Sequence, residues 1–133
     1  MIPEYAERVI ADVADTSTVL PAVIAAIAAG KYKEAGAFLT EDVILDIKGV
    51  DRMNGRWHGR EAVVDAMARN FGMVQDQRPV IDATIHSGYT TALLFHETGI
   101  FAGDGEPYSI RAVMWVTYDN GLIHRVDEIV AVA

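Results

Sequence analysis

Apolar positions recur at helical spacing through the first half of the chain and alternate with polar ones through the second. Ile2–Val13 sets Tyr5, Val9 and Val13 on one helical face with charges between them. Asp15-Thr16-Ser17-Thr18 supplies N-caps for a second helix, and Pro21 sits in its first turn, where amide hydrogens lack intrahelical acceptors anyway. That helix, ending at Ala28 before Gly30, is apolar nearly all round, which predicts deep burial. Lys31 to Leu39 reads as a short third helix with Tyr32, Ala35, Phe38 and Leu39 on one face. Thr40-Glu41-Asp42 reads as polar punctuation and Val43–Ile47 as a strand, by branching and alternation. Lys48 to His58 reads as a long loop, and Gly59-Arg60-Glu61 opens a helix that stacks Val63, Met67 and Phe71 at four-residue spacing.

Everything after Arg78 predicts strand: Val80–His86, Thr90–Phe101, Tyr108–Tyr118 and Leu122–Val132. Their connections, Ser87-Gly88, Asp104-Gly105-Glu106-Pro107 and Asp119-Asn120-Gly121, carry turn chemistry. Helices first and hairpin-linked strands last give an α+β fold, with N-terminal helices packed on a strongly curved, mostly antiparallel sheet. At 133 residues, 1–133 is expected to be one domain.

Composition narrows the function classes. With no cysteine, thiolate metal sites, disulfides and cysteine nucleophiles are excluded. A net charge of −8 with no basic run makes nucleic acid and membrane poor partners. The apolar run Val19–Ala29 is too short to span a bilayer and has no charged leader, so the expected location is the cytoplasm. Hydrophobic residues at 51% exceed what a small solid core needs, pointing to a lined cavity or an interface.

Four segments in order carry a family resemblance: Ala29-Gly30-Lys31-Tyr32, Phe38-Leu39-Thr40-Glu41-Asp42-Val43, Trp57-His58-Gly59-Arg60-Glu61-Ala62-Val63 and Gly121-Leu122-Ile123-His124-Arg125-Val126-Asp127-Glu128. The chain resembles the SnoaL-like branch of the nuclear-transport-factor-2-like superfamily, with ketosteroid isomerase, limonene epoxide hydrolase and polyketide cyclase relatives. The resemblance implies a cone-shaped α+β barrel, cystatin-like in fold, usually dimeric, with a hydrophobic pocket between helices and sheet. The catalytic residues of those relatives do not carry over well. The isomerase base falls at Ile47, with Asp46 on the opposite face, and its oxyanion hole falls at Val23 and Met114. The epoxide-hydrolase tyrosine and asparagine fall at Leu45 and Ile47, while its last-strand aspartate matches Glu128.

The turns set an expected register. A two-residue loop at Asp104-Gly105 places Glu97 opposite Ala112 and Gly99 opposite Ile110. A three-residue loop at Asp119–Gly121 places Ala112 opposite Glu128. The row Glu97–Ala112–Glu128 would then lie on a concave face among Phe95, Ile110, Met114, Val116, Val126 and Val130, its carboxylates about 10 Å apart at the backbone. Leu94, His96, Arg111, Trp115, Arg125 and Asp127 would form the opposite face, suited to a homodimer. Two carboxyls in an apolar cavity make an acid/base pair, because desolvation and like charge push one toward its neutral form. The structural alternative is a pair satisfied by Arg56 or by backbone amides, or split between faces by a one-residue slip.

Glu97 and Glu128 are therefore the catalytic candidates. Val23, Leu45, Ile47, Trp57, Val63, Met67, Phe71, Phe95, Ile110, Ala112, Met114 and Val126 are the candidate ligand wall. His58, His86, His96 and His124 show no metal-ligand spacing, and His124 falls on the Glu128 row, at the pocket mouth or on the surface. Trp57-His58 reads either as a rim or as a packing anchor. The pattern implies no metal or organic cofactor. The leading expectation is an enzyme acting by general acid/base chemistry on a small, largely apolar molecule, of isomerase, cyclase, dehydratase or hydrolase type. The rival expectation is a non-catalytic dimeric ligand-binding or interaction domain of the same fold.

Overall fold

A computed structural model describes residues 18–87 and 89–133. The helix expected at Ile2–Val13, the cap residues Asp15 to Ser17, and Gly88 lie outside them. Helix α1 spans Val19–Ala28 and buries Val19, Leu20, Val23, Ala26 and Ile27. It closes at Gly30, whose φ of +75 suits a residue without Cβ, while the Lys31 amide donates back to the Ala26 carbonyl at 2.8 Å. Helix α2 is shorter than the spacing suggests, Tyr32–Gly36. Leu39 belongs instead to strand β1, Leu39–Lys48, so Thr40-Glu41-Asp42 is strand rather than punctuation. Fully buried Leu39 and Val43 pin that stretch from either side, and the polar residues between them turn outward.

The long loop contains a short edge strand, β2 (Gly55–His58), antiparallel to β1. Helix α3 spans Arg60–Gly72 and covers the sheet with Val63, Val64 and Ala66. Strand β3, Val74–Ser87, starts six residues before the expected position and contains Pro79, which an edge strand tolerates. Strands β4 (Thr90–Phe101), β5 (Pro107–Asp119) and β6 (Leu122–Val132) follow.

The sheet order is β2-β1-β6-β5-β4-β3, with β1 and β6 parallel and every other pair antiparallel. The sheet curls around α1 and α3, and the core lies between them. Leu39, Val43, Val63, Val116 and Ile123 are wholly buried there, each worth about 1.5–3 kcal/mol of transfer free energy. Among the described residues no helix is long and apolar enough to cross a membrane.

Candidate functional site

Between the helices and the inner face of the sheet lies an apolar cavity in two chambers, ≈ 370 Å³ and ≈ 100 Å³. Both chambers share Ile24, Ile47, Asn70, Phe71, Met114 and Glu128, which form the neck between them. Four of those six residues are apolar. Asn70 and Glu128 are the polar exceptions.

Glu128 reaches this neck through two irregularities in the β5–β6 hairpin. The turn is a two-residue one, Asn120-Gly121, both at positive φ, with Asp119 opposite Leu122. A two-residue turn alone would pair Val113 with Glu128 and put the carboxyl on the outer face. The register slips between Tyr118↔Ile123 and Thr117↔Arg125, leaving His124 as an extra, unpaired residue. That bulge rotates the rest of β6 by one position, and Glu128 comes to lie opposite Met114 on the inner face.

The expected pairings across Ala112 are corrected accordingly. Ala112 lies opposite Phe95 and Val130, Glu97 opposite Ile110, and Gly99 opposite Tyr108. The β4–β5 connection occupies residues 102–106, not two, and Arg52 ties it down by binding Asp104 at 2.9 Å and Glu106 at 3.2 Å. Both registers are displaced by two residues, and an even displacement preserves the face. Glu97 and Glu128 share the inner face but not a row. They stand two strands and four residues apart, about 16 Å between backbones on a flat sheet.

The two carboxyls have unlike surroundings. Glu97 accepts hydrogen bonds from Tyr108 Oη at 2.7 Å and Gln77 Nε2 at 3.5 Å, both to the same oxygen, Oε2. Gly99 makes the first bond possible, because the Tyr108 ring lies across it. A Cβ there would stand 2.5 Å from Tyr108 Oη. Burial, and then the bond to the Glu97 carboxylate, push the Tyr108 phenol well above its usual range. Glu128 has no side-chain hydrogen bond among the described residues, and its carboxyl is pushed up to about 7, by burial first and the Glu97 charge second.

The wall includes Val23, Leu45, Met67 and Val126 in the narrow chamber and Phe95 and Ile110 in the wide one, with Ile47, Phe71 and Met114 at the neck. Three candidates lie off it. Val63, on the sheet-facing side of α3, is wholly buried, and the Ala112 methyl is covered between Phe95 and Val130. Trp57 packs over Gly55 on β2, with the Arg69 guanidinium 5.3 Å from its ring. His124, bulged out of β6, turns to Thr40 Oγ1 at 3.3 Å and to the Asp42 carboxylate at 3.5 Å rather than into the cavity. Asp46 faces outward beside Arg125 at 4.0 Å.

Two polar wall residues, Asn70 and Gln77, were not foreseen. Asn70 extends the Val63/Met67 stripe by three residues, so helical spacing carried the signal. Gln77 precedes the expected start of its strand. Among the described residues Asn70 Oδ1 is buried without a hydrogen-bond partner. Among the described residues no group of three or more His, Asp or Glu side chains could hold a metal ion.

Helices over the concave face of a curled sheet, closing an apolar cavity with an isolated carboxyl at its neck, define a class of small α+β domains. The chain belongs to the SnoaL-like domain family, which matches residues 21–126. Solved structures of the same fold include an NTF2-like protein from Burkholderia xenovorans LB400, with TM-score 0.77 and 17% identity over 87% of this chain and 88% of that one. A hypothetical protein with ketosteroid isomerase-like fold from Catenulispora acidiphila DSM 44928, solved in complex with trimethylamine, has TM-score 0.68 and 16% identity over 85% of both chains. An NTF2-like protein from Burkholderia pseudomallei K96243 has TM-score 0.71 and 17% identity over 86% of this chain and 88% of that one. Comparison with curated proteins gives no significant match.

Proposed function

We propose that the chain binds a small, largely apolar molecule in this cavity and acts on it by general acid/base chemistry, with Glu128 as the proton-transferring group. The observation that carries the reading is the Glu128 carboxyl in the apolar neck, held near neutrality at about 7, where one group can both give and take a proton. Glu97, fixed by Tyr108 and Gln77, is an acceptor that orients the ligand and raises the Glu128 carboxyl through its charge. Isomerisation, cyclisation, dehydration and water addition all fit such a group, and the ketosteroid isomerase-like fold of the Catenulispora protein is consistent with the first.

The working form we propose is a cytoplasmic homodimer. Leu94, Val113 and Ile129 lie in one row across the outer face beside Trp115, each 40% or more exposed. Arg111, Arg125 and Asp127 stand on the same face, so a two-fold axis can set opposite charges together. A second reading, a non-catalytic binding domain, is favoured by the apolar residues Val23, Leu45, Ile47 and Met114 at positions where relatives carry catalysis.

The test is to identify ligands by thermal shift among apolar ketones, alcohols and epoxides, then follow their turnover by wild type and Glu128→Gln. Loss of turnover with binding retained supports the enzyme, together with a rate profile that bends near pH 7. Undiminished turnover by Glu128→Gln removes Glu128 from the chemistry, and binding without turnover by the wild type selects the second reading.

A further inference from the structure

Helix α1 carries no charged side chain, yet it buries only one face. Pro21, Ile24, Ala25 and Ala28 recur at i, i+3, i+4 and i+7 along the other side, all exposed among the described residues. That stripe and strand β3 bound a trough of ≈ 520 Å³, with Ile81 and Thr84 on the far wall and Leu93 in the floor. Ile24 is 39% exposed and Ile81 54%, so the trough is an apolar surface that calls for an occupant. Three of its polar residues are committed to one another: His86 Nδ1 lies 2.7 Å from Thr91 Oγ1, which lies 2.9 Å from Tyr118 Oη. The trough therefore suits an apolar face better than a charged ligand.

The chain carries such a face in the stretch that leads into α1. Residues 1–17 lie outside the described ones and join at Thr18, beside the end of the trough that Leu20 and Pro21 line. On a helix, Ile2, Ala6, Val9 and Val13 fall on one side at i, i+4, i+7 and i+11, and Glu4, Glu7 and Arg8 fall on the other. Residues 2–13 as a helix span about 18 Å, enough to cover the ten residues of α1. The connection from Ala14 to Thr18 has the length that joins antiparallel helices. Ala25 and Ala28 are small, which lets a second helix come close.

We propose that residues 2–13 of the same chain form an amphipathic helix that lies in this trough, antiparallel to α1. The short connection sets the register: Val13 meets Pro21, Val9 meets Ile24 and Ala25, and Ala6 meets Ala28. Glu4, Glu7 and Arg8 then face water. The trough shares Ile24, Ile81 and Leu93 with the wide chamber, so the seated helix also closes that side of the cavity. An enzyme and a binding domain need that closure equally.

The chain has no cysteine of its own, so paired cysteines report the docking directly in the whole chain. Ala6→Cys with Ala28→Cys should form an intrachain disulfide on mild oxidation. Glu7→Cys with Ala28→Cys, which starts on the outward side, should oxidise at least about tenfold more slowly. Intact mass and a non-reducing gel separate intrachain from interchain products at nanomolar concentration. Val9→Asp and Ala25→Glu should each lower Tm by about 5 °C, and the double variant by no more than either alone, because either one unseats the helix. Glu7→Ala should leave Tm unchanged. Disulfides that form only between chains and vanish on dilution would assign the trough to a second copy and overturn the proposal. Equal oxidation of the two cysteine pairs, or a Val9→Asp chain as stable as the wild type, would overturn it as well.

Discussion

Replacing Glu128 by glutamine tests the electrostatics of the neck without any knowledge of the ligand. The carboxyl titrates at about 7 in the folded chain against an ordinary 4.5. The sign of the effect follows from which state keeps the proton. Below the ordinary value both folded and unfolded chains carry it, and Glu128 contributes no pH dependence. Between that value and about 7 the unfolded chain releases the proton and the folded chain retains it, so stability falls as pH rises. Above about 7 both states are ionised and the loss is complete. At 1.36 kcal/mol for each pKa unit, the full effect is about 3 kcal/mol.

Glutamine keeps the shape of the neutral acid at every pH. The stability difference, Glu128→Gln minus wild type, should therefore be near zero at about pH 4 and rise to about 3 kcal/mol by about pH 8, on the order of 10 °C in Tm. Urea melts of both proteins across that range give the difference curve directly, and the other titrating groups cancel in it. Because the Glu97 charge is the second cause of the shift, repeating the pair in a Glu97→Gln background should lower the plateau and move the curve to lower pH. A flat difference curve, or one that falls with pH, would refute the account of a desolvated carboxyl at the neck.

Gly99→Ala puts a Cβ 2.5 Å from Tyr108 Oη, so the ring must leave Glu97. The variant should lose about 1–3 kcal/mol, and the phenol should titrate closer to its ordinary value in an ultraviolet pH titration. Trp115→Arg, on the outer face, should shift sedimentation from dimer toward monomer without changing the ligand-induced rise in Tm of the cavity. A monomeric wild type at micromolar concentration would remove the proposed interface.

How much of this was legible in the sequence depended on the period of the signal. Elements with strong periodicity fell in place: α1 by its unbroken apolar surface, α3 by Val63 and Met67, and β4 to β6 by alternation. What failed was local punctuation. Thr40-Glu41-Asp42 looks like a turn but is the outward-facing start of β1, because only the pairing of Leu39 with Ile123 identifies it as strand. The shared face of Glu97 and Glu128 was correctly placed for an incorrect reason. The expected hairpin loops were of the wrong lengths, and the resulting displacements were even. In the second hairpin that evenness came from two odd steps, the Asn120-Gly121 turn and the His124 bulge. A turn can be inferred from Asn-Gly, but nothing local marks His124 as the residue a strand will skip.

The bulge bears on both readings of the cavity, because it decides which face of β6 carries Glu128. A domain that only encloses an apolar ligand gains nothing from a carboxyl in its neck, since glutamine would offer a donor there without the pH-dependent loss of about 3 kcal/mol. A domain that moves protons can use that group, because a carboxyl at about 7 is present near neutral pH as both acid and carboxylate. The backbone device that turns Glu128 inward is a single unpaired residue, and His124 is held in its displaced position by Thr40 and Asp42 on the neighbouring strand β1. The parallel pairing of β1 with β6 thus does two things at once. It supplies Ile47 to the apolar wall beside Glu128, and it anchors the irregularity that puts Glu128 there. Fold and candidate chemistry meet at that strand pair, where an apolar setting and an ionisable group are enforced by the same hydrogen-bonded ladder.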